Sequence, residues 1–307
     1  ESSYFWTVNN GKMNIFGKGE LPDSNESYYG HNLPWYDLKK EITEVNIEEG
    51  ITSIGVYSFY YYSELKKVTI SDSVLRIGNG AFLGSGLQSV YIPDSVTEMG
   101  AAAFSGCPYL ENVELPETLT NSSIRFRDCK SLKSIKIPAS VTDISYAFSG
   151  CSSLESIWIP DSVTKMDEAF RNCSNLKTVR LPDKVKELRS TFMYCTSLTS
   201  VKIPDSVEDL YETFIGCTSL KNVKISNSVT RLWETFARCS SLESIYIPDS
   251  VTTIDYSVFY ECKNLKNVRL PEALEEIGHY TFMYCSSLES IQIPNSVCSI
   301  SRGAFNG

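Results

Sequence analysis

An apolar residue, an exposed one and a second apolar residue open a phrase that recurs along the chain. The fullest form of the phrase is V-x-I-P-D-S-V-T-x-I-x-x-x-A-F-x-x-C-x-x-L-x-x. Copies start at Val45, Val68, Val90, Val113, Ile135, Ile157, Val179, Val201, Val223, Ile245, Val268 and Ile291. The steps are 22 or 23 residues, and the last copy is incomplete because the sequence stops shortly after Phe305. Alternation of apolar, polar and apolar residues is the period of a strand. A fixed period in the twenties signals a solenoid with one coil per repeat. Stacked coils lay the short strands side by side in a parallel sheet, ~4.8 Å apart. The proline that usually follows has no N–H to donate and ends the pairing. The stretch before Phe is short and holds small residues such as Ala103, Ala147 and Ala169. It predicts a tight turn or a single 3₁₀ turn in place of a long helix.

The columns of the repeat assign the core. Twelve of the fourteen Phe share one column, from Phe59 to Phe305, and a Leu column runs from Leu65 to Leu288. Both predict stacked rows inside the coils. The repeat at 113–134 departs from the pattern, with Ser122 in an apolar column and Arg125 in a column of small residues. A locally distorted coil is expected there. Residues 1–44 lie outside the repeat and are rich in aromatics, among them Tyr4, Phe5, Trp6, Phe16, Trp35 and Tyr36. A solenoid's first coil has an open apolar end and unpaired strand edges, so this segment is expected to be an N-terminal cap. The organisation expected is thus a cap over 1–44 and a solenoid of twelve repeats over 45–307. No matching cap follows Phe305, and the chain is therefore expected to be a fragment of a longer protein.

The repeat, in units such as IPDSVTKMDEAFRNCSNLKT (159–178), resembles the BspA-like leucine-rich repeat family. The opening GKMNIFGKGELPD, followed by LPWY and IEEGITSIG, resembles that family's usual start. The resemblance implies an α/β leucine-rich repeat solenoid, right-handed and curved, built of short parallel strands with turns and 3₁₀ segments. It also implies a secreted or surface protein of host-associated bacteria, with adhesion and protein binding as its business. The family has no shared catalytic residues to carry over.

Charge and candidate chemistry narrow the function. The net charge of −9 and a pI near 5.0 argue against a general nucleic-acid or anionic-membrane binder. No apolar run approaches the ~18 residues of a membrane span. The chain opens at ESSYFW without a signal peptide. It is either cytoplasmic or, as the resemblance implies, an extracellular or cell-surface chain whose signal has been removed. Catalysis has little to work with: the only His are His31 and His279, and no phosphate loop or zinc motif is present. No cofactor is expected. Nine Cys, from Cys107 to Cys285, follow the Phe column by three residues. Equivalent side chains of stacked coils point in parallel, which is poor disulfide geometry, and no His is in phase for a metal. They are expected to be free, buried thiols packing as small hydrophobes. The acidic column after Pro, including Asp161, Asp205 and Asp249, also accepts Ala139, Asn227 and Asn295. It therefore reads as turn chemistry, not a calcium array.

The middle residue of V-x-I is the variable one. The stretch CSSLESIWIPDSVT (151–164) returns as CSSLESIYIPDSVT (239–252), and only Trp158 has become Tyr246. The flanking apolar residues point inward, so this residue faces out, on the concave side of a leucine-rich solenoid. The outward residues Tyr91, Lys136, Trp158, Arg180, Lys202, Lys224, Tyr246 and Arg269 make a basic and aromatic stripe over a floor of Ser, Asn and Thr. They are the candidate ligand-binding residues. The bland alternative is a solvated strand face, which favours such side chains anyway. The expected function is a non-enzymatic scaffold that adheres to a host or extracellular-matrix protein, an acidic one by the charge of the stripe. A glycan-binding module, with Trp158, Tyr91 and Tyr246 on sugar rings, and a purely structural spacer are the alternatives.

Overall fold

The computed structural model describes residues 2–24, 31–120 and 123–307. They form two compact units, Glu1–Leu154 and Glu155–Gly307.

Unit 1 starts with a hairpin. β1 (Ser3–Asn9) and β2 (Lys12–Glu20) pair antiparallel, from Ser3 opposite Lys18 to Asn9 opposite Lys12. The link is Asn10-Gly11 with φ of 50° and 76°. A two-residue hairpin turn of the I′ type needs both residues at positive φ, and Asn-Gly adopts that at low cost. β2 then serves two parallel neighbours. Its first half pairs with β3 (Glu44–Ile47), Met13 opposite Val45 and Ile15 opposite Ile47. Its end pairs with β4 (Ile51–Ile54), Gly19 opposite Ile51. Later coils split this strand in two. β3 pairs with β5 (Lys67–Ile70), and β4 with β6 (Arg76–Ile77). The V-x-I series goes on with β7 (Ser89–Tyr91), and the second ladder with β8 (Glu98–Met99), opposite β6. β9 (Asn112–Glu114) and β10 (Ser134–Ile135) extend the row of β7, Val113 lying opposite both Val90 and Ile135.

Unit 2 repeats the two ladders. In the V-x-I ladder, β11 (Ser156–Ile157) pairs with β12 (Thr178–Val179), and β13 (Ser200–Lys202) with β14 (Asn222–Lys224). The second ladder resumes at β15 (Arg231–Leu232). It alternates with the first through β16 (Ser244–Tyr246), β17 (Thr253–Ile254), β18 (Asn267–Arg269), β19 (Glu276–Ile277) and β20 (Ser299–Ile300). β16 pairs with β18, and β15, β17, β19 and β20 pair in that order, all parallel.

Inside each unit the Phe rings stack as the column predicts. From Phe59 to Phe259 they are fully buried. Neighbouring centroids lie 5.2 Å apart from Phe59 to Phe82 and from Phe82 to Phe104, and 5.6 Å apart from Phe214 to Phe236, with planes within 13°. Each buried ring contributes roughly 1.5–3 kcal/mol by transfer from water. In unit 1 the stack is widest around Phe126, 6.3 Å on both sides. That is the coil carrying Arg125, where a distortion was expected. Ser122 lies outside the described residues. The stack of unit 1 starts outside the repeat: Trp35 lies 6.1 Å from Phe59 at 16°, in the place of a spine Phe.

The thiol column does more than fill space. The cysteines are free, and all but Cys298 are buried. Eight of the buried thiols, Cys107, Cys129, Cys151, Cys195, Cys217, Cys239, Cys262 and Cys285, donate to the carbonyl of the preceding coil's Phe, as in Cys129 to Phe104 at 3.1 Å and Cys217 to Phe192 at 3.0 Å. Tyr62 holds the equivalent place in the first coil, and its hydroxyl donates to the Trp35 carbonyl at 2.6 Å. Burial pushes the Cys151 and Cys285 thiols up to about 12, so they stay protonated, as donors must.

The helical half of the α/β expectation has no counterpart. Among the described residues there is no α-helix, and the one 3₁₀ turn is Tyr36–Leu38. The reason lies beside Phe. Residues two before and two after it take left-handed φ in most coils, as at Glu212 (53°) and Gly216 (70°) around Phe214. Such residues stop a right-handed helix from propagating. Their backbones instead bond across coils, Glu212 N–H to Trp233 O and Gly216 N–H to Ala237 O, as does that of Phe214 between them, to Thr235 O. The fold is a parallel-strand solenoid made almost wholly of strands and turns.

Candidate functional site

The strands place the outward residues in rows. In β13 and β14 the apolar Val201 and Val223 point in, which turns Ser200, Lys202, Asn222 and Lys224 out. β16 and β18 add Ser244, Tyr246, Asn267 and Arg269 in the same register. A groove of about 820 Å³ lies over these strands, and Ser290 and Gln292 help to line it. Its floor is hydroxyl and amide, and its walls are lysine, tyrosine and arginine.

Charge pairing on this face differs from the expectation of a bare basic stripe. Arg180 bonds Asp161 at 3.0 Å and lies 5.1 Å over the Trp158 ring. Arg269 grips both oxygens of Asp249, at 2.5 and 3.0 Å, and lies 4.8 Å over Tyr246. The two copies of the fourteen-residue phrase thus build one device twice. An outward ring and a carboxylate three residues later belong to one coil, and the guanidinium that covers both belongs to the next. Trp158 and Tyr246 stay 61% and 58% exposed. The acidic column is therefore not local turn chemistry alone. The Asp249 carboxyl sits below the ordinary aspartate range, first because of the Arg269 guanidinium and then because of the Glu272 N–H.

Lys202 and Lys224 are the exceptions. They lie directly opposite each other in β13 and β14. Among the described residues neither has an ion-pair partner, although the cations on both sides of them do. Two neighbouring ammonium groups repel, and ~1 kcal/mol is the scale of that repulsion in water at 4 Å. Of the cations in the basic stripe of unit 2, Arg180, Lys202, Lys224 and Arg269, only these two lack an ion-pair partner among the described residues.

The remaining candidates lie in unit 1. Tyr91 is outward, 57% exposed, and opposite Glu114. Lys136 is bound to Glu117 at 2.6 Å, and that contact holds the Glu117 carboxyl below its ordinary range. The column beside the stripe carries ion pairs between coils: Lys133 with Glu111 in unit 1, and Lys177 with Glu155 in unit 2, each at 2.8 Å. Such exposed pairs are worth only ~0.2–1 kcal/mol each. Among the described residues no group of three or more His, Cys, Asp or Glu is gathered in metal-binding geometry.

A family model for the BspA type leucine rich repeat region matches the chain over residues 35–146, 144–234 and 211–307. The chain belongs to the BspA-type leucine-rich repeat family. Solved structures of leucine-rich repeat proteins are similar to this BspA-type chain over nearly their whole length. One from Bacteroides ovatus is 27% identical, with a TM-score of 0.63, over 96% of this chain and 94% of that one. One from Eubacterium ventriosum is 24% identical, with a TM-score of 0.57, over 100% and 93%. A leucine rich cell surface protein from Faecalibacterium prausnitzii is 25% identical, with a TM-score of 0.51, over 99% and 95%. No curated protein sequence matches significantly. No helix among the described residues of the BspA-type chain is long and apolar enough to cross a membrane.

Proposed function

We propose that this BspA-type chain is a non-catalytic binding scaffold, displayed at a bacterial surface or exported, which holds an acidic protein partner on the V-x-I strand face of unit 2. The observation that carries the reading is the Lys202–Lys224 pair. These two adjacent cations go uncompensated in a protein of net charge −9, while the outward arginines near them are neutralised. A fold stabilised for its own sake gains from a carboxylate there; a surface awaiting a negative partner does not. Trp158, Arg180, Tyr246 and Arg269 border the pair, and Trp, Tyr and Arg are the types enriched at binding hot spots. Clamped by guanidinium and carboxylate, the two rings lose little freedom on binding. Tyr91 and Lys136 are proposed as outlying contacts on the corresponding face of unit 1. Surface display is supported by the Faecalibacterium cell surface protein, and family membership supports a scaffold in place of an enzyme. In the same reading, residues 1–44 form a cap, since β2 occupies the edge of both β3 and β4, and residues 45–307 form the right-handed repeat domain.

A glycan is the second reading of this face, favoured by the exposure of Trp158 and Tyr246. The test is binding of the chain to immobilised extracellular-matrix proteins, compared with a Lys202→Glu/Lys224→Glu variant that keeps the parent melting temperature. Binding is expected to fall with salt, because exposed attractions are screened beyond ~8 Å at physiological ionic strength. The variant is expected to bind about tenfold or more weakly, a loss of ~1.4 kcal/mol. Undiminished binding by the variant removes the strand face from consideration.

A further inference from the structure

The second ladder of unit 2 carries a row of aromatic side chains that the strand face does not use. Tyr211 and Trp233 directly follow Leu210 and Leu232, and Tyr256 comes two residues after Ile254. Backbone bonds between coils fix their register. Ser190 N–H donates to the Tyr211 carbonyl, Glu212 N–H to that of Trp233, and Glu234 N–H to that of Tyr256. The ring centroids are 6.2 Å apart from Tyr211 to Trp233 and 6.0 Å from Trp233 to Tyr256, with planes within 24°. The buried Thr235 hydroxyl accepts the Trp233 backbone N–H at 3.2 Å and donates to the Leu210 carbonyl at 3.0 Å. The row is thus anchored to the core, yet Tyr211 and Tyr256 remain 39% and 38% exposed. A cavity of about 470 Å³ opens against Tyr211 and Trp233, walled also by Glu208, Asp209, Thr230 and Arg231.

Charge pairing selects the ligand. Glu208 is paired with Lys186 at 3.4 Å, and Asp209 with Arg189 at 2.9 Å. Arg231 is paired with Asp255 at 2.6 Å while lying 5.5 Å over Trp233. Every charged side chain that lines the cavity is thus ion-paired, with Arg189 shared between Asp209 and Glu187 at 3.4 Å, and no unpaired cation is left to attract an anion, in contrast with the groove at Lys202 and Lys224. What remains is ring surface bordered by carboxylate acceptors, guanidinium donors and a hydroxyl that does both. Apolar walls with a few fixed polar groups are the usual make-up of a small-molecule site. A pyranose is the complement of this one: its C–H faces are apolar, and its hydroxyl edge both donates and accepts. Aromatic residues on three successive coils suit a chain of such rings. We propose that the Tyr211–Trp233–Tyr256 edge binds a neutral hexose oligosaccharide, independently of the reading given for the cationic groove.

The experiment is titration of the whole chain with maltohexaose, cellohexaose and mannohexaose, followed by calorimetry and saturation-transfer NMR, with heparin as the anionic control. At least one neutral hexaose is expected to bind with a Kd indifferent to salt between roughly 50 and 500 mM. Trp233→Ala is expected to weaken it about tenfold or more. Trp233→Phe, which keeps a ring, restores most of the affinity, and Lys202→Glu/Lys224→Glu leaves it unchanged. Tyr211→Ala replaces Trp233→Ala as the decisive variant if the latter does not fold. Failure of all three hexaoses at millimolar concentration overturns the proposal, as does undiminished binding by the folded alanine variant. Salt-sensitive binding of heparin alone also overturns it and assigns glycan recognition to the groove.

Discussion

Phe214→Ala is the sharpest test of the ring stack. Phe214 is fully buried, with Phe192 at 5.7 Å and Phe236 at 5.6 Å on its two sides. Truncation removes the transfer term, leaves a cavity that rigid neighbouring coils fill poorly, and breaks two stacking contacts. The expected cost is roughly 3–5 kcal/mol. Phe305→Ala is the internal control. It deletes the same ring from the same column, but Phe305 is 42% exposed and stacks only on Phe282 among the spine rings. Half the burial and one stacking partner scale its cost to roughly 1–2 kcal/mol. The assay is urea unfolding monitored by far-ultraviolet circular dichroism and by Trp fluorescence. Repeat proteins couple mainly to nearest neighbours. The Phe214 variant is therefore expected to separate the two probes, with coils near Trp233 melting first. Equal shifts for the two variants would refute the claim that burial and stacking on both sides set the energetics of the column.

Three further outcomes are expected. Cys298 is the exposed thiol and reacts first with a maleimide under native conditions, because access and thiolate fraction govern reactivity; mass spectrometry showing Cys195 or Cys217 labelled equally fast contradicts the donor assignment. Gly216 has φ of 70°, and an added Cβ would stand 2.4 Å from the Tyr194 ring, so Gly216→Ala is expected to cost about 1–2 kcal/mol, read as a lowered melting temperature. The carboxyls of Glu44, Glu117, Glu155 and Asp249 are held below their ordinary range by paired lysine or arginine. A depressed folded value stabilises above the ordinary carboxylate range and is lost as pH falls through the folded value. Thermal stability is therefore expected to hold from neutrality down to about pH 5 and to fall below it; a melting temperature that rises on acidification to pH 3 would contradict this.

What the sequence disclosed is what repeats in one dimension. The Phe and Leu columns, the V-x-I strands and the outward side of Trp158 follow from period and alternation, which act within a single coil. The Arg269–Asp249–Tyr246 cluster was not legible, since its members come from two coils and meet only once the register is set. The second ladder was missed because its strands are mostly two residues long, too short to alternate. Its aromatic row, at Tyr211 and Trp233, occupies a column that other coils fill with residues such as Asp167 and Arg189. Trp35 and Tyr62 took the places of Phe and Cys without sharing their letters, so shape and donor capacity, not identity, reveal them. The thiols were read as small hydrophobes because burial shows in a column, whereas a bond to the preceding coil's carbonyl does not.

The two clamped rings, Trp158 and Tyr246, stand 88 residues and so four coils apart. At ~4.8 Å per coil, that sets them about 19 Å from each other along the stack. Each coil offers the same faces to the coil before and the coil after it. Insertion or deletion of one whole repeat therefore changes this spacing by a single increment and asks nothing new of the core. A partial insertion throws the Phe, Leu and thiol columns out of phase together. The molecule is in this respect a ruler graduated in units of 22 residues. Its near-identical phrases are the places where genetic recombination can lengthen or shorten it by one graduation, matching the distance between the two rings to the size of whatever they grasp.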